Sequence, residues 1–99
     1  MNSYVTLGNA YHNQGFFNIR QPYQHLIANG DEHIQIQLGA DGNIIIGKIN
    51  RSANANGTPR IMAGTAFKTW VNEHYELNEQ MKVQIKSPNS LLLHNKSAI

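Results

Sequence analysis

The tightest constraint on the fold lies in mid-chain, where His33-Ile34-Gln35-Ile36-Gln37-Leu38 alternates polar and apolar residues. A period of two places Ile34, Ile36 and Leu38 on one face of a strand and leaves no helical stripe. Gly39-Ala40-Asp41-Gly42-Asn43 follows, with Asp-Gly as a hairpin signal, and Ile44 to Ile49 supplies the partner strand. The centre of the chain is therefore a β-hairpin with one buried face.

The flanking segments extend this pattern. Tyr4 to Leu7 and Phe16 to Arg20 are rich in β-branched and aromatic residues and are expected as strands, with Gly8 to Gly15 a polar loop between them. Pro22 suits a first helical turn, Tyr23, Leu26 and Ile27 form a stripe, and Asn29-Gly30 suits a left-handed cap, so a short helix is expected over Gln21 to Ala28. Arg60 to Ala63 predicts a strand. Thr65 is the expected N-cap of a second helix, whose stripe is Phe67, Trp70 and Val71 and whose end lies near Tyr75. Met81 to Ile85 alternates again, Pro88-Asn89-Ser90 turns, and Leu91 to His94 makes a last strand before a tail, 95–99, expected to fray. About seven strands and two short helices fit a small barrel-like β fold with helices at its ends. The 99 residues allow a single domain.

Composition matters for what such a barrel can bind. Only 14% of residues are charged, and amides, about a fifth of the chain, supply much of the polarity. An amide side chain offers donors and an acceptor together, which suits base edges and sugars. The net charge is only +2, but its distribution is uneven. The acids are Asp31, Glu32, Asp41, Glu73, Glu76 and Glu79, so the first thirty residues and the stretch from Asn43 to Asn72 contain none. The second stretch carries Lys48, Arg51, Arg60 and Lys68. If the two acid-free stretches meet in space, one face is positive, which is the footprint of nucleic-acid binding.

Several classes of function lose support. There is no cysteine, hence no disulfide framework or thiolate metal site. No apolar run approaches ~18 residues, so no helix is expected to span a membrane. The histidines show no tight ligand spacing, and neither a G-x-S-x-G elbow nor a glycine-rich phosphate loop occurs. No carboxylate constellation for a nuclease metal is visible. The expectation is a non-enzymatic cytoplasmic protein with no cofactor and no metal.

Two polar, acid-free loops remain, each between two strands: Asn9 to Phe16 and Asn50 to Pro59. Long polar loops in compact domains tend to carry function. With Arg60-Ile61-Met62-Ala63-Gly64-Thr65-Ala66-Phe67-Lys68-Thr69-Trp70-Val71 and Leu77-Asn78-Glu79-Gln80-Met81-Lys82-Val83-Gln84-Ile85, the order of elements resembles the B3-type DNA-binding pseudobarrel. That family occurs in plant transcription factors and in recognition domains of some bacterial restriction endonucleases. The chain has Asn78-Glu79 where the family often has Gly-Asp.

The resemblance implies a seven-stranded open pseudobarrel that grips double-stranded DNA with two arms in the major groove. Those arms would be the two loops above. His12, Asn13 and Gln14 of the first, and Arg51, Ser52, Asn54 and Asn56 of the second, would face bases, with Arg51 the natural partner of a guanine edge. Arg20, Lys48, Arg60 and Lys68 would hold phosphates. The implied role is the target-recognition or effector module of a restriction-modification system, with catalysis in a separate nuclease domain or subunit. Asn54 and Asn56 also suit simple turn formation, and Tyr11 suits either a sugar stack or a cover for the barrel end. Two other functions fit the same residues: a β-barrel protein-interaction or oligomerisation module, and a barrel that binds carbohydrate or another small ligand.

Overall fold

A computed structural model describes residues 2–20, 23–28, 32–40, 42–52, 54 and 58–95 of the chain. Among them lie seven strands: β1 (Asn2–Thr6), β2 (Phe16–Asn18), β3 (His33–Leu38), β4 (Ile44–Asn50), β5 (Arg60–Met62), β6 (Gln80–Ser87) and β7 (Ser90–Leu93). Two helices accompany them, α1 (Asn9–Gln14) and α2 (Gly64–His74). The strands form one sheet in the order β1-β6-β7-β3-β4-β5-β2, which curls into a nearly closed barrel. Its two edge strands, β1 and β2, leave the seam unsealed. The mainly β fold read from the alternation, and the seven-stranded open barrel that the resemblance implies, are therefore present.

The alternating positions turn as expected. Ile34, Ile36 and Leu38 of β3 point inward, as do Ile49 of β4, Ile61 of β5 and Phe17 of β2. Each such side chain taken from water contributes about 1.5–3 kcal/mol. Phe67, Trp70 and Val71 of α2 close one end of this core. Phe67 lies 5.1 Å, centroid to centroid, from Phe17, which ties α2 to the edge strand β2.

Three local expectations are corrected. The first polar loop is largely a helix, α1, although its six residues carry no apolar stripe. Its contacts with α2 hold it: His12 Nε2 donates to the carbonyl of Tyr75 at 2.9 Å, and Asn72 Nδ2 donates to the carbonyl of His12 at 2.9 Å. Tertiary packing overrides weak propensity here. Gly15 ends α1 at φ 75°, the left-handed region that glycine enters freely. Its missing side chain is needed too, since a Cβ there would lie 2.7 Å from the carbonyl oxygen of Gly64.

The second correction concerns the helix expected over Gln21 to Ala28. Only a 3-10 turn, Gln24–Leu26, forms within the described part of that segment. Ile27 is already extended, and the N–H of Ala28 bonds to Pro88, so the turn does not propagate. Gln21, Pro22, Asn29 and Gly30 lie outside the described residues. The third correction is the N-cap of α2. Ala63, not Thr65, occupies it, and the N–H groups of Ala63 and Gly64 both donate to the carbonyl of Gly15, at 3.0 and 2.8 Å. A backbone oxygen from the α1–β2 corner thus does what a hydroxyl was expected to do. The expected tail falls mostly outside the described residues, which end at Asn95.

Tyr75 Oη donates to the carbonyl of His94 at 2.5 Å and anchors the end of β7. Burial, and then the Lys82 charge, push the His94 imidazole below its ordinary value of 6.5. The unfolded chain therefore takes up this proton at a higher pH than the folded one. The contribution is complete above pH 6.5 and is lost as the pH falls through the depressed folded value. Urea midpoints should accordingly fall between pH 7.5 and pH 5, and His94→Gln should flatten that decline.

Candidate nucleic-acid interface

The two acid-free stretches do meet. β2 from the first pairs with β5 from the second, Phe16 opposite Met62 and Asn18 opposite Arg60. β5 pairs in turn with β4, Met62 opposite Lys48 and Arg60 opposite Asn50. Phe16, Asn18, Arg60, Met62, Lys48 and Asn50 therefore share the outer face of three adjacent strands, while Phe17, Ile61 and Ile49 face the core. That face holds two cations and no acid. The described acids lie off these three strands, Glu32 nearest, with its carbonyl bonded to the N–H of Ile49 on β4. Glu32 precedes β3 and accepts from Asn89, whereas Glu73, Glu76 and Glu79 lie on or just beyond the last turns of α2. Asp31 and Asp41 fall outside the described residues.

Arg60 is steadied by an aromatic ring. Its guanidinium carbon lies 4.3 Å from the Phe16 centroid, a cation–π distance. Its Nε is buried with no hydrogen-bond partner among the described residues. Arg20, two residues beyond β2, is exposed, as are Lys48 on β4 and Lys68 on the outer side of α2. Lys48 and Arg60 sit diagonally across β4 and β5, a spacing of roughly 7–8 Å between such backbone positions. Lys68 lies apart from them, on the helical end of the barrel.

The β4–β5 loop is pinned at several points. Arg51 turns inward, where its Nη2 donates to the carbonyls of Gln24 and Ile27, both at 2.7 Å, and its Nε donates to that of Ala28 at 3.2 Å. Gln24 opens the 3-10 turn and Ile27 and Ala28 follow it, so Arg51 brackets the turn from another part of the chain. Asn50 Oδ1 accepts from both the N–H and the hydroxyl of Ser52, a local turn of the Asx kind. Asn54 Nδ2 donates to the carbonyl of Thr58 at 2.9 Å and to Asn18 Oδ1 at 3.1 Å, binding the loop to the edge strand. Asn56 lies outside the described residues.

The expected base-facing residues are thus dispersed. His12 is a strut between α1 and α2. Asn13 is exposed but bonded back to Asn9, and Gln14 is exposed at the end of α1. Arg51 is committed to carbonyls, Asn54 holds a turn, and Ser52 stays at the surface with Asn50. The two segments do not form a matched pair of loops. Instead they line one cleft of about 670 Å³ at the seam, with Tyr11 of α1 and Asn54 and Thr58 of the second loop among its walls. Asn18 and Gln80, which also line it, carry no signal as site residues in the sequence beyond a polar side chain at an outward strand position.

Among the described residues no group of three or more His, Asp or Glu is placed to hold a metal ion. No helix among them is long and apolar enough to cross a membrane. Comparison of this chain with known protein families, curated proteins and solved structures returned no match.

Proposed function

We propose that this domain binds double-stranded DNA in a sequence-dependent way, with the β4–β5 loop presented to the major groove. The observation that carries the reading is an acid-free outer face of β2, β4 and β5 bearing Lys48 and Arg60, with Asn50, Arg51 and Asn54 beside it each fixed by hydrogen bonds. A loop held in place before binding loses less entropy when it docks. Phosphate contacts by Arg20, Lys48 and Arg60 supply affinity, and the loop surface around Ser52 supplies choice among sequences. The resemblance to B3-type pseudobarrels points to a recognition or effector module of a restriction-modification system, with cleavage performed by a separate nuclease domain or subunit.

The test is fluorescence anisotropy on labelled duplexes, one pool randomised and one enriched by selection, between 50 and 200 mM salt. Lys48→Ala and Arg20→Ala should each weaken binding to all duplexes about equally and reduce the salt slope by about one. Ser52→Ala should relax preference at one position, by about 1–3 kcal/mol at most. Salt-insensitive or undetectable binding to every duplex would refute the reading.

A second reading rests on a different observation. Ile44, Ile46 and Met62 are 58%, 61% and 41% exposed on the adjacent strands β4 and β5. Exposed apolar side chains grouped on a barrel wall suit contact with protein, including a second copy of the chain. A concentration-dependent mass in size exclusion, abolished by Ile46→Lys, would favour that reading.

A further inference from the structure

From the walls of the seam cleft we infer a binding site for one nucleobase with its phosphate, the chemistry of a nucleoside monophosphate. The cleft lies where the barrel fails to close. Thr6 of β1 and Gln80 of β6 stand on one side, Asn18 and Arg20 on the β2 side, and Tyr11 and Asn54 complete the walls. Its volume of about 670 Å³ falls within the range of small-molecule sites, about 300–1,000 Å³.

The recognising element is the Asn18–Asn54 pair. Asn54 Nδ2 is spent on the carbonyl of Thr58 and on Asn18 Oδ1. A carbonyl oxygen can only accept, so the Thr58 bond fixes which way the Asn54 amide points. The bond to Asn18 then fixes the second amide. What remains is the Asn18 Nδ2 donor beside the Asn54 Oδ1 acceptor, neither bonded to any described residue. Each of the four bases presents a donor beside an acceptor on its pairing edge, so this couple suits the class of planar bases. Tyr11, half-buried and set edge-on to Phe16 at 5.6 Å, supplies an aromatic wall. Arg20 is exposed and supplies the charge for a phosphate.

Two sources can deliver such a ligand: a free nucleotide, or a base extruded from a nucleic-acid strand, which costs a few kcal/mol of unstacking. The second source rests on the duplex-binding reading above. The first does not.

The experiment titrates the full chain with the four nucleoside 5′-monophosphates, with ribose 5-phosphate and with maltose, following the side-chain amide resonances of Asn18 and Asn54. Nucleotides should shift both pairs of resonances, while ribose 5-phosphate and maltose should leave them in place. Asn18→Asp keeps the acceptor that Asn54 uses and deletes the free donor, so it should weaken nucleotide binding about tenfold or more with little change in Tm. A second arm uses duplexes with 2-aminopurine in place of one adenine, whose fluorescence rises on leaving the stack. A rise that is lost in Asn18→Asp identifies an extruded base, and nucleotide binding with a quenched probe identifies a free nucleotide. Equal shifts with maltose or ribose 5-phosphate overturn the inference. So does silence in both arms. If salt-sensitive duplex binding persists through that silence, the inference fails alone and the duplex reading stands.

Discussion

Arg51→Ala is expected to destabilise the whole domain by about 2–3 kcal/mol, because hydrogen bonds from a charged donor are worth more than neutral ones and three carbonyls lose theirs together. For a chain of this size that is roughly 10–20 °C in Tm. The site is half-buried, so water replaces part of the loss and keeps the figure below the sum of three such bonds. Arg51→Lys should recover less than half of it. An ammonium group is a point donor and cannot reproduce a planar fork that reaches Gln24, Ile27 and Ala28 together. Under the duplex-binding proposal, affinity should fall alongside stability, and by similar factors on all sequences, because the β4–β5 loop loses an anchor rather than a base contact. The base contact that the resemblance implies for Arg51 would give a different result, a loss of affinity greatest on one sequence. Thermal melts and anisotropy on the same preparations separate the two outcomes.

That contrast shows why the barrel was legible while parts of the site were not. Alternation in 33–38 and 81–85 is a local property, and the packing that follows from it is the barrel wall. The stripe Phe67, Trp70, Val71 is local in the same sense, and it became the face of α2 that meets the core. The role of Arg51 depends on a 3-10 turn more than twenty residues earlier in the chain, and nothing in the loop announces it. An arginine among asparagines looks like a reader of bases until its partners are known. α1 is hidden for a related reason, since its six residues carry no stripe and its order comes from Tyr75 and Asn72. Asn54 could be read as a turn former or a base contact, and its bond to Thr58 gives the first role, while its second bond to Asn18 makes it part of the cleft.

The seam was least accessible of all. It exists because β7 enters between β6 and β3, pairing parallel to β3, which leaves β1 and β2 as edges. Strand order of this kind is set by contacts across the whole chain. The acid-free stretches, by contrast, were visible as a pattern, and the pairing of β2 with β5 turned that pattern into a surface.

The core residue most closely coupled to that surface is Phe67, and Phe67→Ala should be the most damaging of these single changes. Its side chain is fully buried, and truncating such a ring costs about 3–5 kcal/mol. Against the 5–15 kcal/mol that holds a typical domain together, this is enough to leave a substantial unfolded fraction at 37 °C. The milder Phe67→Leu, which keeps most of the volume, should cost about 1–2 kcal/mol and stay folded. Its effect should also be uneven. Phe67 packs on Phe17, and Phe17 belongs to a three-residue edge strand that, among the described residues, pairs only with β5 and faces the seam on its other side. Its other described ties, Asn54 on Asn18 and Tyr11 and Arg60 on Phe16, fasten its outer face rather than its core face. Native-state hydrogen exchange on Phe67→Leu should show the amides of Phe16 to Asn18 opening at lower free energy than those of β3 and β4. Uniform acceleration across the sheet would mean instead that the edge strand and the core open as one unit. In that case the seam is a rigid feature of the barrel, and Asn18 is held by the whole fold rather than by a short strand leaning on one helix.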